Sequence, residues 1–175
     1  ISEILMIWKG GMSFHGGLIG VIVSAAIFSK KNNINKFIFL DLISASAPIG
    51  IFLGRISNFI NSELYGEKTE IIWSVVFLKV DNFSRHPSQI YEAIFEGLIL
   101  FIIIYIFIKR NYLLKPGTIS AIFLIFYSIF RFFLEFYRAP DEHLGFIILS
   151  LSMGQIISLI FLIFGIYLFL NKKNA

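Results

Sequence analysis

Four short runs hold most of the side chains able to do chemistry, and each borders a long apolar stretch. The first is Ser13-Phe14-His15-Gly16-Gly17-Leu18. His15 can exchange a proton near neutral pH, and the adjacent glycines allow a backbone or a substrate to come close. Taken alone, this run also fits a buried histidine satisfied by a carbonyl. The second runs from Gly54 to Gly66 and carries Arg55, Asn58, Asn61, Ser62 and Glu63. If helix continues through it, Arg55, Asn58 and Ser62 share one face at three- and four-residue spacing. An arginine inside hydrocarbon costs at least ~2.5 kcal/mol, so it marks either function or a fixed ion pair, here with Glu63.

The third run, Arg85-His86-Pro87-Ser88-Gln89-Ile90-Tyr91-Glu92, opens an apolar stretch with helix-start chemistry. Free N–H groups at such a start suit an anion. A capped helix accounts for Pro87 and Ser88, but it leaves Arg85, His86 and Glu92 unexplained, with Glu96 one turn deeper. The fourth spans Tyr127 to Asp141. Tyr127, Arg131, Glu135 and Arg138 recur at i, i+4, i+8 and i+11, a single helical stripe. Arg131 and Glu135 read as an ion pair, which leaves one guanidinium short of a carboxylate. Four of the five arginines (Arg55, Arg85, Arg131 and Arg138) fall in these runs. Arginine offers a planar fork of donors that fits phosphate and never deprotonates. Grouped beside apolar walls, the arginines suit an anionic lipid headgroup.

The elements that must position these runs are membrane spans. The chain has 175 residues, 57% hydrophobic and 15% charged, whereas a soluble domain is roughly a quarter charged. Crossing the hydrocarbon takes about 20 apolar residues. Five stretches approach that length: about Met12–Phe28, Phe37–Phe59, Ile90–Ile108, Thr118–Phe136 and Phe146–Leu170. The expected fold is therefore all-α, a polytopic transmembrane helix bundle forming one domain over residues 1–175. A loop or cap over about 60–87 joins the second and third spans, and its stretch from Ile71 to Val80 is rich in strand-forming residues. Lys30–Lys36, Lys109–Lys115 and Lys172–Ala175 together hold eight Lys or Arg and no Asp or Glu. Alternation puts all three on one side, and the positive-inside rule makes that side cytoplasmic. The four chemical runs then meet at the opposite face. The net charge of +4 is thereby a topology signal and does not call for nucleic acid. The chain has no cysteine, which excludes thiolate catalysis by its own residues, and its three histidines lack metal-ligand spacing.

At these runs the sequence resembles the bacterial prolipoprotein diacylglyceryl transferases. The family signature reads roughly Gly-Arg-x-Gly-Asn-Phe-x-Asn-x-Glu-x-x-Gly. Gly54, Arg55, Asn58, Phe59, Asn61, Glu63 and Gly66 match it, while Ser57 stands where glycine is expected. The segments His15-Gly16-Gly17-Leu18, His86-Pro87-Ser88-Gln89 and Arg131 to Asp141 also look like family motifs, in the family's order. The resemblance implies seven spans with the C-terminus inside, of which this chain would hold the last five. It implies a multi-pass protein of the bacterial cytoplasmic (inner) membrane with its active site near the extracytoplasmic face. The implied reaction moves a diacylglyceryl group from phosphatidylglycerol to the lipobox cysteine of a prolipoprotein, forming a thioether and releasing glycerol phosphate. Arg55 and Arg131 would hold the phosphate, and His15 would be the base for the thiol, with His86 the alternative. Asn58, Asn61 and Glu63 would orient the headgroup glycerol or Arg55, and Glu135 would orient Arg131. Gly66, Gln89, Tyr127 and Arg138 complete the expected substrate-binding set. The lipid carries its own leaving group, so no metal or organic cofactor is expected.

A transporter or binding scaffold for an anionic lipid could use the same arginines without chemistry. Transporters often show internal repeats and broken helices near the midplane. No repeat is visible here, and the polar groups gather at span ends. An intramembrane hydrolase would need a Ser-His or paired-Asp arrangement. Asp41, Asp81 and Asp141 are scattered, and no Gly-x-Ser-x-Gly occurs.

Overall fold

Helices dominate the computed structural model, which describes residues 14–139, 146–148 and 151–173. Helix α1 covers Phe14–Lys31. A tight turn with Asn33 at positive φ leads into α2, Lys36–Asn61, and Asn35 caps α2 by accepting from the Phe37 amide at 2.9 Å. Pro48 lies inside α2; a membrane helix tolerates the missing N–H where neighbouring groups re-satisfy the backbone. The helix stops at Ser62, which adopts a left-handed conformation with φ 62°. The Glu63 amide turns back to the Asn58 carbonyl at 2.9 Å, a Schellman-type ending.

The next span is built in three pieces: α3 (Ser88–Glu92), a π-helical segment (Ala93–Ile99) and α4 (Leu100–Lys109). Gly97 permits its contact with α2, because a Cβ there would lie 2.7 Å from the Phe52 Cβ. A 3₁₀ turn at Tyr112–Leu114 precedes α5, Thr118–Leu134. Asp41 of α2 anchors the start of α5. Fully enclosed, it accepts from the Gly117 amide (2.7 Å), the Ser120 amide (2.8 Å) and the Ser120 hydroxyl (2.6 Å). A carboxylate at a helix N-terminus satisfies orphan donors and complements the helix dipole. Beside it, Leu100, Ile104, Ile119 and Ile122 form the buried core between α4 and α5.

The last helix, α6, covers Met153–Lys173 and packs along α5. Four described helical stretches are long and apolar enough to cross a membrane: Lys36–Asn61, Ser88–Lys109, Thr118–Tyr137 and Met153–Asn171. The chain is a multi-pass membrane protein. The expected first span begins at Met12, outside the described residues, and its described part is helical as α1. The expected last span shortens, because residues from Phe146 form a small antiparallel pair and helix begins only at Met153. Ser152 and Gln155 explain that start. The Gln155 amide donates to the Ser152 hydroxyl at 3.2 Å, and the Ser152 amide donates to Gln155 Oε1 at 3.0 Å, a capping box.

Between α2 and α3 lies a segment of turns with a short strand pair, β1 (Val75–Val76) against β2 (Ser84–Arg85), antiparallel. The stretch expected to be strand-forming thus contributes one strand, whose partner lies just beyond it.

Candidate active site

Arg55 lies near the end of α2, Glu92 and Glu96 in the next span, and Arg131 near the end of α5, so three helices bring their charges to one place. Arg55 Nη1 is 3.0 Å from Glu92 Oε2, and its Nη2 donates to Glu96 Oε2 at 3.2 Å. Arg131 Nη1 donates to Glu92 Oε1 at 2.6 Å and stands 3.6 Å from Glu96 Oε1. Its Nη2 donates to Glu135 Oε2 at 2.5 Å. Glu135 Oε1 in turn accepts from the Ser152 hydroxyl at 2.9 Å, which ties α6 into the network. Gly154 makes room for this contact, since a Cβ there would approach Glu135 Oε1 to 2.6 Å.

Glu92 and Glu96 are fully enclosed, while the side chains of Arg55 and Arg131 remain 15% and 12% exposed. The carboxylates therefore hold the guanidinium groups from behind and leave each one a small open side. The contacts involve both Nη atoms of each arginine, and each Nε–H has no partner among the described residues. Each guanidinium carries five N–H donors in a fixed fork. Two such forks fixed side by side can accept an anion, because their orientation is set in advance by the buried carboxylates.

The other expected residues divide between this centre and its surroundings. Tyr127 lies one turn from Arg131 and stacks on Phe123, centroids 5.5 Å apart. Asn58 sits one turn beyond Arg55, with its carbonyl in the helix stop; Asn61 and Glu63 are exposed. The anticipated Arg55–Glu63 pair does not form. The Ser62 turn carries Glu63 past the helix end, and Arg55 pairs with Glu92 and Glu96 instead. Gln89 is enclosed and donates to the Glu63 carbonyl at 2.7 Å, while the Ser88 hydroxyl donates to the Leu64 carbonyl at 3.1 Å. Gly66 is required by close backbone approach, since a Cβ there would sit 2.4 Å from the His86 carbonyl oxygen.

Arg138 does not continue the stripe of Tyr127, Arg131 and Glu135. Helix α5 ends at Leu134, a 3₁₀ turn follows at Glu135–Tyr137, and Arg138 is extended. It pairs as an isolated bridge with Gly66, so this part of the chain braces the loop after α2. Arg85 is likewise occupied. It donates to both carboxylate oxygens of Asp81 and to the Gly66 carbonyl, and its guanidinium lies 4.7 Å from the Tyr65 ring centroid. The Arg85 hydrogen bonds hold the Asp81 carboxyl below its ordinary range.

His86 is packed edge-on against Tyr91 and Tyr137, and its Nδ1 lies 3.4 Å from the Tyr91 hydroxyl. That hydroxyl accepts from Trp73 Nε1 at 2.7 Å. His15 lies in the first turn of α1, and its side chain is outside the described residues.

The residues missing from the expected binding set are Glu92, Glu96 and Ser152. The glutamates were noticeable as a pair of acids in an otherwise uncharged span, where ionisable residues are rare and functional. Ser152 carried a capping-box spacing to Gln155.

Membrane-spanning helices joined by an intramembrane network of two arginines and three glutamates define a polytopic protein whose polar centre lies among its helices. The profile of the prolipoprotein diacylglyceryl transferase family matches residues 1–171, and the chain belongs to that family. It is 53% identical over 172 residues to a phosphatidylglycerol–prolipoprotein diacylglyceryl transferase of Rickettsia bellii, covering 98% of this chain and 65% of that protein. Over 174 residues it is 52% identical to the protein so named from Rickettsia typhi, covering 98% of this chain and 67% of the relative. The corresponding figures for the Wolbachia pipientis protein of that name are 47% over 174 residues, 98% and 66%. The chain thus spans about two thirds of the length of these relatives.

Proposed function

We propose that the protein transfers the diacylglyceryl group of phosphatidylglycerol to the lipobox cysteine of a prolipoprotein. The meeting of Arg55 and Arg131 around Glu92 and Glu96 carries this reading, together with the names of the relatives. In the proposed step the lipobox thiol loses its proton to His15, or alternatively to His86. The thiolate sulfur attacks the glyceryl carbon that bears the phosphate, forming a C–S bond. The C–O bond breaks, and its electron pair leaves with the phosphate oxygen as glycerol phosphate. The phosphate gains charge as it leaves, so cations fixed beforehand stabilise the transition state more than the ground state.

In this assignment Arg55 and Arg131 hold the phosphate, while Glu92, Glu96 and Glu135 keep their forks aimed at it. Asn58, Asn61 and Glu63 face the headgroup glycerol, and Gly66, Gln89, Tyr127 and Arg138 shape the surrounding wall. We place the protein in the bacterial inner membrane as one transmembrane domain. Its site and the 60–87 cap face the extracytoplasmic side, with the C-terminus in the cytoplasm. Eight Lys or Arg in three acid-free segments support that orientation.

The test is to incubate the protein, at the full length of its relatives, in phosphatidylglycerol vesicles with a lipobox peptide, and to look for thioether product. We expect product from the parent, and a loss of at least about 100-fold in Arg55→Ala and in Arg131→Lys, because lysine cannot bridge two carboxylates and a phosphate. Absence of product in the parent, or parental rates in both variants, would sink the assignment.

A further inference from the structure

We propose that the turns between α2 and α3 rest in the membrane–water interface, and that the partner of this surface is the phospholipid leaflet around the spans. The proposal depends on the membrane spans and not on the chemistry proposed above. Two turns project from this segment. The Ser74 amide donates to the Ile71 carbonyl at 3.0 Å, placing Ile72 and Trp73 at one tip. The Val80 amide donates to the Phe77 carbonyl at 2.7 Å, placing Leu78 and Lys79 at the other. Turn tips in water are dominated by Gly, Pro, Asn, Asp and Ser. Here they present Ile72, Trp73 and Leu78, which are 99%, 63% and 81% exposed. Three large apolar side chains at such positions need a covering that water does not provide.

The apolar surface is continuous with a span. Phe77, between the two tips, is buried and packs edge-on against Phe59 of α2, centroids 5.7 Å apart. It therefore fixes this segment to the helix end. Val76 and Leu78, flanking Phe77 on the chain, are exposed. Together with Ile60 of the last turn of α2 they line one shallow groove. Ile60 belongs to a span, so a lipid-facing surface there runs directly onto the turn.

The polar atoms nearby are placed as an interface requires. Trp73 directs its N–H to the Tyr91 hydroxyl at the start of the next span, and Trp and Tyr are enriched at headgroup level. Lys68 lies over the Phe83 ring at 3.5 Å, and Lys79 shares the tip with Leu78. Cations on long stems beside apolar surface can reach lipid phosphates while the apolar part stays covered.

The chain has no cysteine, so Ile72→Cys and Leu78→Cys each introduce a single labelling site at an exposed position. The test attaches a nitroxide to each and reconstitutes the chain in phosphatidylglycerol–phosphatidylethanolamine vesicles. The expected ratio of collisions with oxygen to collisions with a water-soluble nickel chelate exceeds that of free nitroxide in water by at least about threefold, corresponding to a depth of about 5–10 Å. Trp73 provides a label-free measurement in Trp8→Phe, where lipids brominated on the upper acyl carbons should quench it and aqueous iodide should not. A water-like ratio at either label, or free iodide quenching of Trp73, overturns the proposal. So does shielding that develops only when a signal peptide is added, because the surface would then belong to a peptide.

Discussion

Glu92 is the residue through which the two arginines meet: Arg55 approaches one of its oxygens and Arg131 the other. Without it, two guanidinium groups would face each other in an enclosed site with one carboxylate fewer. Removing one partner from a buried ion pair costs about 3–5 kcal/mol, because the remaining charge stays desolvated and unpaired. We therefore expect Glu92→Ala to lower stability by about that amount in a denaturation series in detergent. Glu135→Ala should cost less, since Glu135 is partly exposed and holds one arginine. Equal stability of Glu92→Ala and the parent would remove Glu92 from the centre of the network. Both arginines were legible in the sequence, because a charge inside an apolar span is conspicuous. Their partners were not. Glu63 was the acid nearest Arg55 at the end of the same stretch, but partner choice was decided by the helix stop at Ser62 and by packing between spans. Arg138 was misplaced for the same kind of reason, since the stripe holds only while helix persists.

At the scale of the element, the unusual feature is the π-helical segment that carries Glu96. Such segments are rare and recur at functional sites. Gly97 within it lets its backbone come against Phe52, one turn before Arg55 on α2. A Cβ at Gly97 would lie 2.9 Å from the Phe52 Cα as well, so backbone must move. Gly97→Ala should cost about 1–3 kcal/mol by overpacking and should displace Glu96 from Arg55. Gly50 on α2 is the control, because a Cβ there meets nothing within 4 Å. Gly50→Ala should be neutral, or stabilising by up to about 1 kcal/mol through helix propensity. Thermal unfolding of the two variants side by side checks the contrast, and equal behaviour would show that the close approach is dispensable. The hydropathy of the span was plain from the sequence. The change of winding was not, because π and α segments share the same composition and differ only in that each backbone hydrogen bond reaches one residue further along the chain. The late start of α6 could have been read from Ser152 and Gln155, but the apolar run from Phe146 hides it.

For the whole molecule, the helices hold polar groups at opposite ends. Arg55 is six residues from the end of α2 and Arg131 three from the end of α5, so both lie within roughly 10 Å of one end at 1.5 Å per residue. Asp41, at the other end of α2, ties down the start of α5. One end is thus fixed by a cap and the other carries the ion network, which makes orientation in the membrane decisive for the proposed chemistry. The acid-free basic segments predict that the Asp41 end faces the cytoplasm. Single cysteines test this in intact cells with a membrane-impermeant maleimide. Asn82→Cys, on the loop after α2, should label from outside. Leu114→Cys, in the exposed turn before α5, should label only after permeabilisation. The reverse pattern would place Arg55 and Arg131 on the side that a translocated lipobox cysteine never reaches. The proposed transfer would then fail on topology alone, even with the ion network intact.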